Sequence, residues 1–194
     1  GGITLAECAV RAKVVEVGSE GEGGDLALID AVLLQNDSLG NLAPFASDKL
    51  RTIVLARAEP ASVGISPLGG LLHPCGAEDE FGVTVNFCTH AQGGRLLRAP
   101  FSPGLIRTVH VADSRPVPLG EPIEVTGPAL LAFDGDRERQ LAPGQRAWLR
   151  VVRSGPWVID SRKALHLAAE RELMLDLDHW FDAYDGVAGK SGCC

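Results

Sequence analysis

Short runs of Val, Ile and Leu recur along this chain, and glycine or proline interrupts them every eight to fifteen residues. Apolar segments of that length and spacing predict strands over residues 12–17, 26–35, 51–57, 82–88, 95–99, 106–111, 123–126, 129–133, 146–152 and 157–160. With no long helix between them, ten strands fit antiparallel sheets packed on each other, because parallel neighbours would each need a crossover. Two segments break the pattern. Residues 60–73 are small and glycine-rich, with Pro60 and Pro67 suited to a first helical turn, and predict a short internal helix. From 162 to 184 the composition turns helical, and Leu165, Ala168, Ala169, Glu172, Leu173 and Leu177 form an approximate apolar stripe behind a cap at Asp160 or Ser161. Gly186 begins a tail without core residues.

Composition narrows the function classes. The 194 residues suffice for one good core or two small ones. A formal charge of −7, with basic residues scattered among acids, argues against a nucleic-acid partner. No apolar run reaches the length of a membrane span, and the start lacks a signal-peptide pattern, so the expectation is a cytoplasmic protein. Five unevenly placed cysteines (Cys8, Cys75, Cys88, Cys193 and Cys194) read as reduced thiols rather than a disulfide framework.

Three segments carry candidate chemistry. The apolar strand that ends in Phe133-Asp134-Gly135-Asp136 places a carboxylate at a turn, where it either meets ligand hydroxyls or serves a tight hairpin with Gln140-Leu141 in the returning strand. Ser66 to Pro74 contains Gly69-Gly70, which allows close backbone approach to a phosphate or ribose, or tight packing of a short helix on a sheet. Pro100 to Gly104 reads as a turn. His73, Cys75, Cys88 and His90 form a symmetrical pair of His and Cys positions, but thirteen residues separate Cys75 from Cys88, so no metal site is assigned. Neither a nucleophile triad nor a phosphate-cradling glycine loop is visible, and no residue is assigned as catalytic.

In order, these segments resemble the C-terminal domain of the NAD kinase superfamily, and most closely its branch of acetoin-catabolism X-type, ATP-NAD kinase-like proteins. Ala27-Leu28-Ile29-Asp30-Ala31-Val32-Leu33 looks like the strand of the family's Ala-Leu-Asn-Glu motif, with Asp30 in the Glu place. Ser66 to Pro74 is similar to its Ser-Ala-Gly-Gly-Pro-Ile-Val-His-Pro segment, Ala99 to Arg107 to its proline-rich loop, and Phe133 to Glu138 to its Asp-Gly motif. The likeness spans about residues 25–169. It implies a mainly β, antiparallel β-sandwich-like domain over 25–160, after a lead-in strand and loop over 1–24 and before a C-terminal helix over 161–185 and a flexible tail over 186–194. It also implies a domain that forms one wall of a nucleotide cleft and carries oligomer contacts, with NAD or ATP as cofactor and Mg in the complete enzyme. The ligand contacts it carries over are Asp30, Ser62, Ser66, Gly69, His73 and Asp134. Two departures matter. The family's Thr-Gly-Ser-Thr-Ala-Tyr stretch is replaced by Ala58-Glu59-Pro60-Ala61-Ser62-Val63, and the Gly-Gly-Asp-Gly phosphate cradle is absent. A chain without that cradle is expected to be inactive unless joined to an N-terminal kinase domain. The alternatives are a non-catalytic binding or assembly module on the same fold, and a lipid-kinase-like relative suggested by Trp180 and Phe181 in the terminal helix.

Overall fold

The computed structural model describes residues 2–19, 22–35 and 49–175. They fall into two compact units, a larger one over Arg11–Pro156 and a smaller one from the described residues of Gly1–Val10 and Trp157–Cys194. In chain order the first elements are α1 (Leu5–Cys8), β1 (Ala9–Arg11), β2 (Val14–Ser19), β3 (Glu22–Ala27), β4 (Asp30–Gln35), β5 (Leu50–Leu55) and α2 (Ser66–Gly70). There follow β6 (Phe81–Phe87), β7 (Arg95–Ser102), β8 (Leu105–Pro118), β9 (Ile123–Thr126), β10 (Ala129–Phe133), β11 (Arg137–Leu141), β12 (Arg146–Val152), β13 (Trp157–Ile159) and α3 (Ser161–Glu170). The fold is thus mainly β, with one short internal helix in the larger unit and a C-terminal helix, as the apolar pattern predicts.

The larger unit holds a seven-stranded sheet in the order β11-β10-β4-β5-β6-β8-β7 and a four-stranded sheet in the order β3-β2-β12-β9. Their facing sides bury a first core of Val15, Val17, Leu33, Val54, Leu131, Phe133, Leu149 and Val151. The opposite side of the seven-stranded sheet is covered too. There Val32, Leu55, Val83, Val85 and Ala132 meet Leu68 of α2 in a second core. A strand buried on both faces has no use for polar alternation, which is why every residue of Ala129–Phe133 is apolar and buried. Gly82 lets the layers close up, since a Cβ there would lie 2.3 Å from Val151 Cγ2 and 2.8 Å from the Leu55 carbonyl oxygen.

Three elements depart from expectation. Residues 26–35 form the end of β3 and then β4, broken at Leu28 and Ile29, because the chain there crosses from one sheet to the other. Strand β8 runs seven residues beyond the predicted end at Val111, through Pro116 and Pro118. Prolines are tolerated because β7 pairs only with Leu105 to Val111, leaving the later residues as an edge on that side while β6 pairs on the other. The C-terminal helix begins as expected, with the Asp160 carboxylate accepting from the Lys163 amide at 2.9 Å, but ends at Glu170, and Glu172 turns left-handed (φ 54°). Residues 171–175 form turns instead, and the predicted helix beyond them, including Trp180 and Phe181, and the tail with Cys193 and Cys194 lie outside the described residues.

In the smaller unit β1 pairs with β13, the Asp160 amide donates to the Cys8 carbonyl at 2.8 Å, and Glu7 pairs with Arg171. That guanidinium, together with the Thr4 amide and hydroxyl, holds the Glu7 carboxyl down at about 2. No helix among the described residues is long and apolar enough to cross a membrane.

Leu131 is fully buried between the sheets. Leu131→Ala should lower the unfolding free energy in urea by about 2–5 kcal/mol, the range for a buried leucine whose cavity cannot collapse. A loss below about 1 kcal/mol would mean that the two sheets do not share this core.

Candidate functional site

The corner between β3 and β4 organises the candidate site. Three successive amides point there at one carboxylate. Asp134 Oδ2 accepts from the Leu28 amide at 2.7 Å, and Oδ1 accepts from Ile29 at 2.8 Å and Asp30 at 3.3 Å. The Asp134 amide donates in return to the Asp30 carbonyl at 3.1 Å. Asp134 and Gly135 both sit in the left-handed region (φ 51° and 77°), so the Asp-Gly pair does make the tight hairpin, here between β10 and β11. The returning strand begins at Arg137, three residues before Gln140. Arg137 braces the corner from outside, donating to Asp25 Oδ1 at 2.6 Å and to the Leu26 carbonyl at 2.5 Å.

Asp30 pairs across the ladder with Leu55 and alternates with Val32, which places its carboxyl on the face of the sheet that α2 covers. Half-buried, with no described residue donating to it, that carboxyl is pushed up to about 6, first by burial and then by the Asp134 charge. Protons are therefore bound more tightly in the folded state than in the unfolded chain.

The helix segment is held from within. Ser66 Oγ accepts from the Glu59 amide at 2.9 Å and donates to the Arg57 carbonyl at 3.1 Å, and Ser62 Oγ donates to the Glu59 carbonyl at 2.8 Å. A Cβ on Gly69 would come within 2.2 Å of Leu55 Cδ1, and one on Gly70 within 2.6 Å of the Glu59 and Pro60 backbone. The close approach that these glycines allow is thus spent on packing α2 against β5 and the loop. His73 lies beyond, half-buried, with Nε2 3.1 Å from Ser114 Oγ on β8.

The structure strings four of the six expected residues, Asp134, Asp30, Gly69 and His73, along one series of contacts rather than around one point, while Ser62 and Ser66 bond within the loop before α2. Asp134 holds Ile29, the Ile29 carbonyl accepts from the Ala56 amide at 2.8 Å, Asp30 pairs with Leu55 and Leu55 meets Gly69. The Gly69 carbonyl then accepts from the His73 amide at 2.7 Å. The four residues weighed for zinc have separate partners: Cys75 meets Lys13, His73 meets Ser114, Cys88 Sγ donates to the Gly93 carbonyl at 3.1 Å, and His90 packs edge-on against His110 at 5.0 Å. Among the described residues no three His, Cys, Asp or Glu side chains are grouped to hold a metal.

Residue-by-residue reading misses two polar groups. Lys13 is buried, its ammonium donating to Phe81 O at 2.7 Å and lying 3.1 Å from Cys75 Sγ. Nothing local signals this, because a lysine beside a strand is normally solvated. Arg95 and Ser114 converge on His73 from two strands, at positions whose meeting depends on the β7–β8 register.

Residues 13–154 match the family described as acetoin catabolism protein X C-terminal domain, and the chain belongs to that family. A curated relative, acetoin catabolism protein X of Cupriavidus necator, is 30% identical over 165 residues, which is 84% of this chain and 46% of that protein. The chain therefore spans about half the length of the curated relative it matches.

The raised Asp30 carboxyl sets a pH dependence. Its contribution favours the fold most below about pH 4, where both states are protonated, and the advantage is lost as pH rises through about 6. The upper bound is about 3 kcal/mol, reduced by partial solvation. Asp30→Asn should raise stability in urea by about 1–3 kcal/mol at pH 7.5 and change it little at pH 4. Equal destabilisation at both pH values would show that the carboxylate is not strained where it stands.

Proposed function

We propose that this chain is the C-terminal, ligand-contacting half of an NAD-kinase-like phosphotransferase, which binds NAD or ATP and is catalytic only when joined to an N-terminal kinase-type half that brings the phosphate cradle and Mg. The observation that carries the reading is Asp30: a half-buried carboxyl beside a buried small-residue helix, raised to about 6, with no described donor. Such a group gains when a ligand hydroxyl or amide donates to it. Asp134 takes the supporting role, since its acceptor positions already serve the corner that aims Asp30. Ser62, Ser66 and Gly69 shape the segment beside it, and His73 is the remaining candidate for direct contact. The family membership and the doubled length of the curated relative support a two-part protein.

A second reading, an assembly module without nucleotide affinity, draws on the smaller unit. All three residues of the Trp157-Val158-Ile159 strand are exposed, Trp157 by 66% and Ile159 by 59%. A two-stranded sheet with an open apolar strand is the kind of surface that another domain or a second copy covers.

Thermal-shift titration with NAD, NADP and ATP, on this chain and on the full-length protein, separates the readings. The nucleotide reading expects a shift with at least one of the three that Asp30→Asn diminishes at least tenfold in affinity, about 1.4 kcal/mol. No shift from any of them in either form, beside a stable oligomer by light scattering, would leave the assembly module.

A further inference from the structure

Arg95, His73 and Ser114 come together from three separate segments. Ser114 stands on β8 opposite Val85, which places its side chain on the face of the seven-stranded sheet that carries the second core and α2. His73 follows α2, and its Nε2 lies 3.1 Å from Ser114 Oγ. Arg95 opens β7, and its Nη2 donates to the same hydroxyl oxygen at 3.3 Å. The glycines before it define that position. Gly93 and Gly94 both have positive φ (85° and 87°), and a Cβ on Gly94 would lie 2.7 Å from the carbonyl oxygen of Val111, the ladder partner of Arg95.

The charge balance of this cluster is unusual for the molecule. Eight arginines of the described residues sit in ion pairs with carboxylates. Arg95 does not: among the described residues its guanidinium bonds Ser114 Oγ alone, and no described carboxylate pairs with it or with His73. Among the described residues only one of its five N–H donors is engaged. With the His73 proton on Nε2, both neighbours donate to Ser114, fill its lone pairs and turn the hydroxyl proton outward. The result is a pair of outward-facing donors with no acceptor among the described residues: the Arg95 guanidinium and the Ser114 hydroxyl that His73 orients. An oxyanion supplies what they lack, and a guanidinium fork matches phosphate in two contacts at once. The open space above Gly93, where a Cβ would meet nothing within 4 Å, leaves room for the approach.

We infer that Arg95, His73 and Ser114 form a subsite for a phosphate or pyrophosphate group, built by the β7–β8 edge and separate from the Asp30 carboxyl three strands away. The source of that group, the phosphates of the nucleotide assigned to this domain, rests on the reading under Proposed function; the anion chemistry does not. Arg95→Gln removes the fork while keeping an exposed polar side chain, and Ser114→Ala removes the hydroxyl. Arg98→Gln serves as the control, because Arg98 is paired with Thr108 on the opposite face of the same hairpin.

The test is calorimetric titration of the folded protein with inorganic pyrophosphate at about 0.15 M ionic strength. Repeats with the three variants, and with NAD and ATP as competitors, complete it. The expected result is saturable binding that falls roughly ten- to a hundredfold in Arg95→Gln and measurably in Ser114→Ala, and is unchanged in Arg98→Gln. No binding at millimolar pyrophosphate, or equal loss in Arg95→Gln and Arg98→Gln, would overturn the subsite, the latter by showing a diffuse charge effect. If pyrophosphate binds as expected and neither NAD nor ATP displaces it, the subsite stands and the nucleotide reading falls. If NAD binds but pyrophosphate does not, the nucleotide reading stands and the subsite falls.

Discussion

One carboxylate holds the junction on which the two-sheet architecture turns. A chain that leaves one sheet and enters another must pass through residues whose amides have no ladder partner, and unpaired amides near a core are costly. At Leu28, Ile29 and Asp30 all three donate to Asp134. The charge on the acceptor makes these bonds stronger than neutral ones. Because Asp134 directly follows β10, which pairs with β4 along its whole length, the same residue that satisfies the corner also registers the central strands. Shifting that register by one residue would exchange the faces of β10 between two cores.

The strand β10 shows why this precision is needed. Leu131 and Phe133 fill the core between the sheets, and Ala132 fills the one under α2. The second core depends on small residues at the helix. Leu68 enters it, while Gly69 and Gly70 let the helix backbone approach Leu55 and the Glu59-Pro60 link, and Ser66 ties the preceding loop to the helix start with two hydrogen bonds. The face so constructed carries the Asp30 carboxyl at one strand end and the cluster of Arg95, His73 and Ser114 across the sheet.

Much of the fold was legible because strands buried on one or both faces leave periodic or continuous apolar runs, and β10, β12 and the hairpin at Asp134-Gly135 are read directly from them. The break at Leu28 and Ile29 was not, since both residues are apolar and the cause of the break lies more than a hundred residues away, at Asp134. The extension of β8 through two prolines was hidden for a similar reason: proline speaks against a strand until the sheet order shows which side is unpaired. Of the candidate site, order along the chain picked out Asp30 and Asp134 but not the division of labour between them, which depends on which carboxylate the amides face. Arg95 and Ser114 meet only through register, and Lys13 is buried only because Phe81 and Cys75 are brought to it.

Amide exchange of Leu28, Ile29 and Asp30, followed by NMR in the native protein and in Asp134→Asn, tests the corner most directly, because the variant keeps the side chain's shape but removes its charge and one acceptor oxygen. A stapled corner predicts slow exchange at all three amides in the native protein and an acceleration of about tenfold or more in the variant, confined to the corner and the β4 end beside it, while Leu131 stays protected. Unchanged exchange at the three amides would contradict the claim that Asp134 holds the two sheets together.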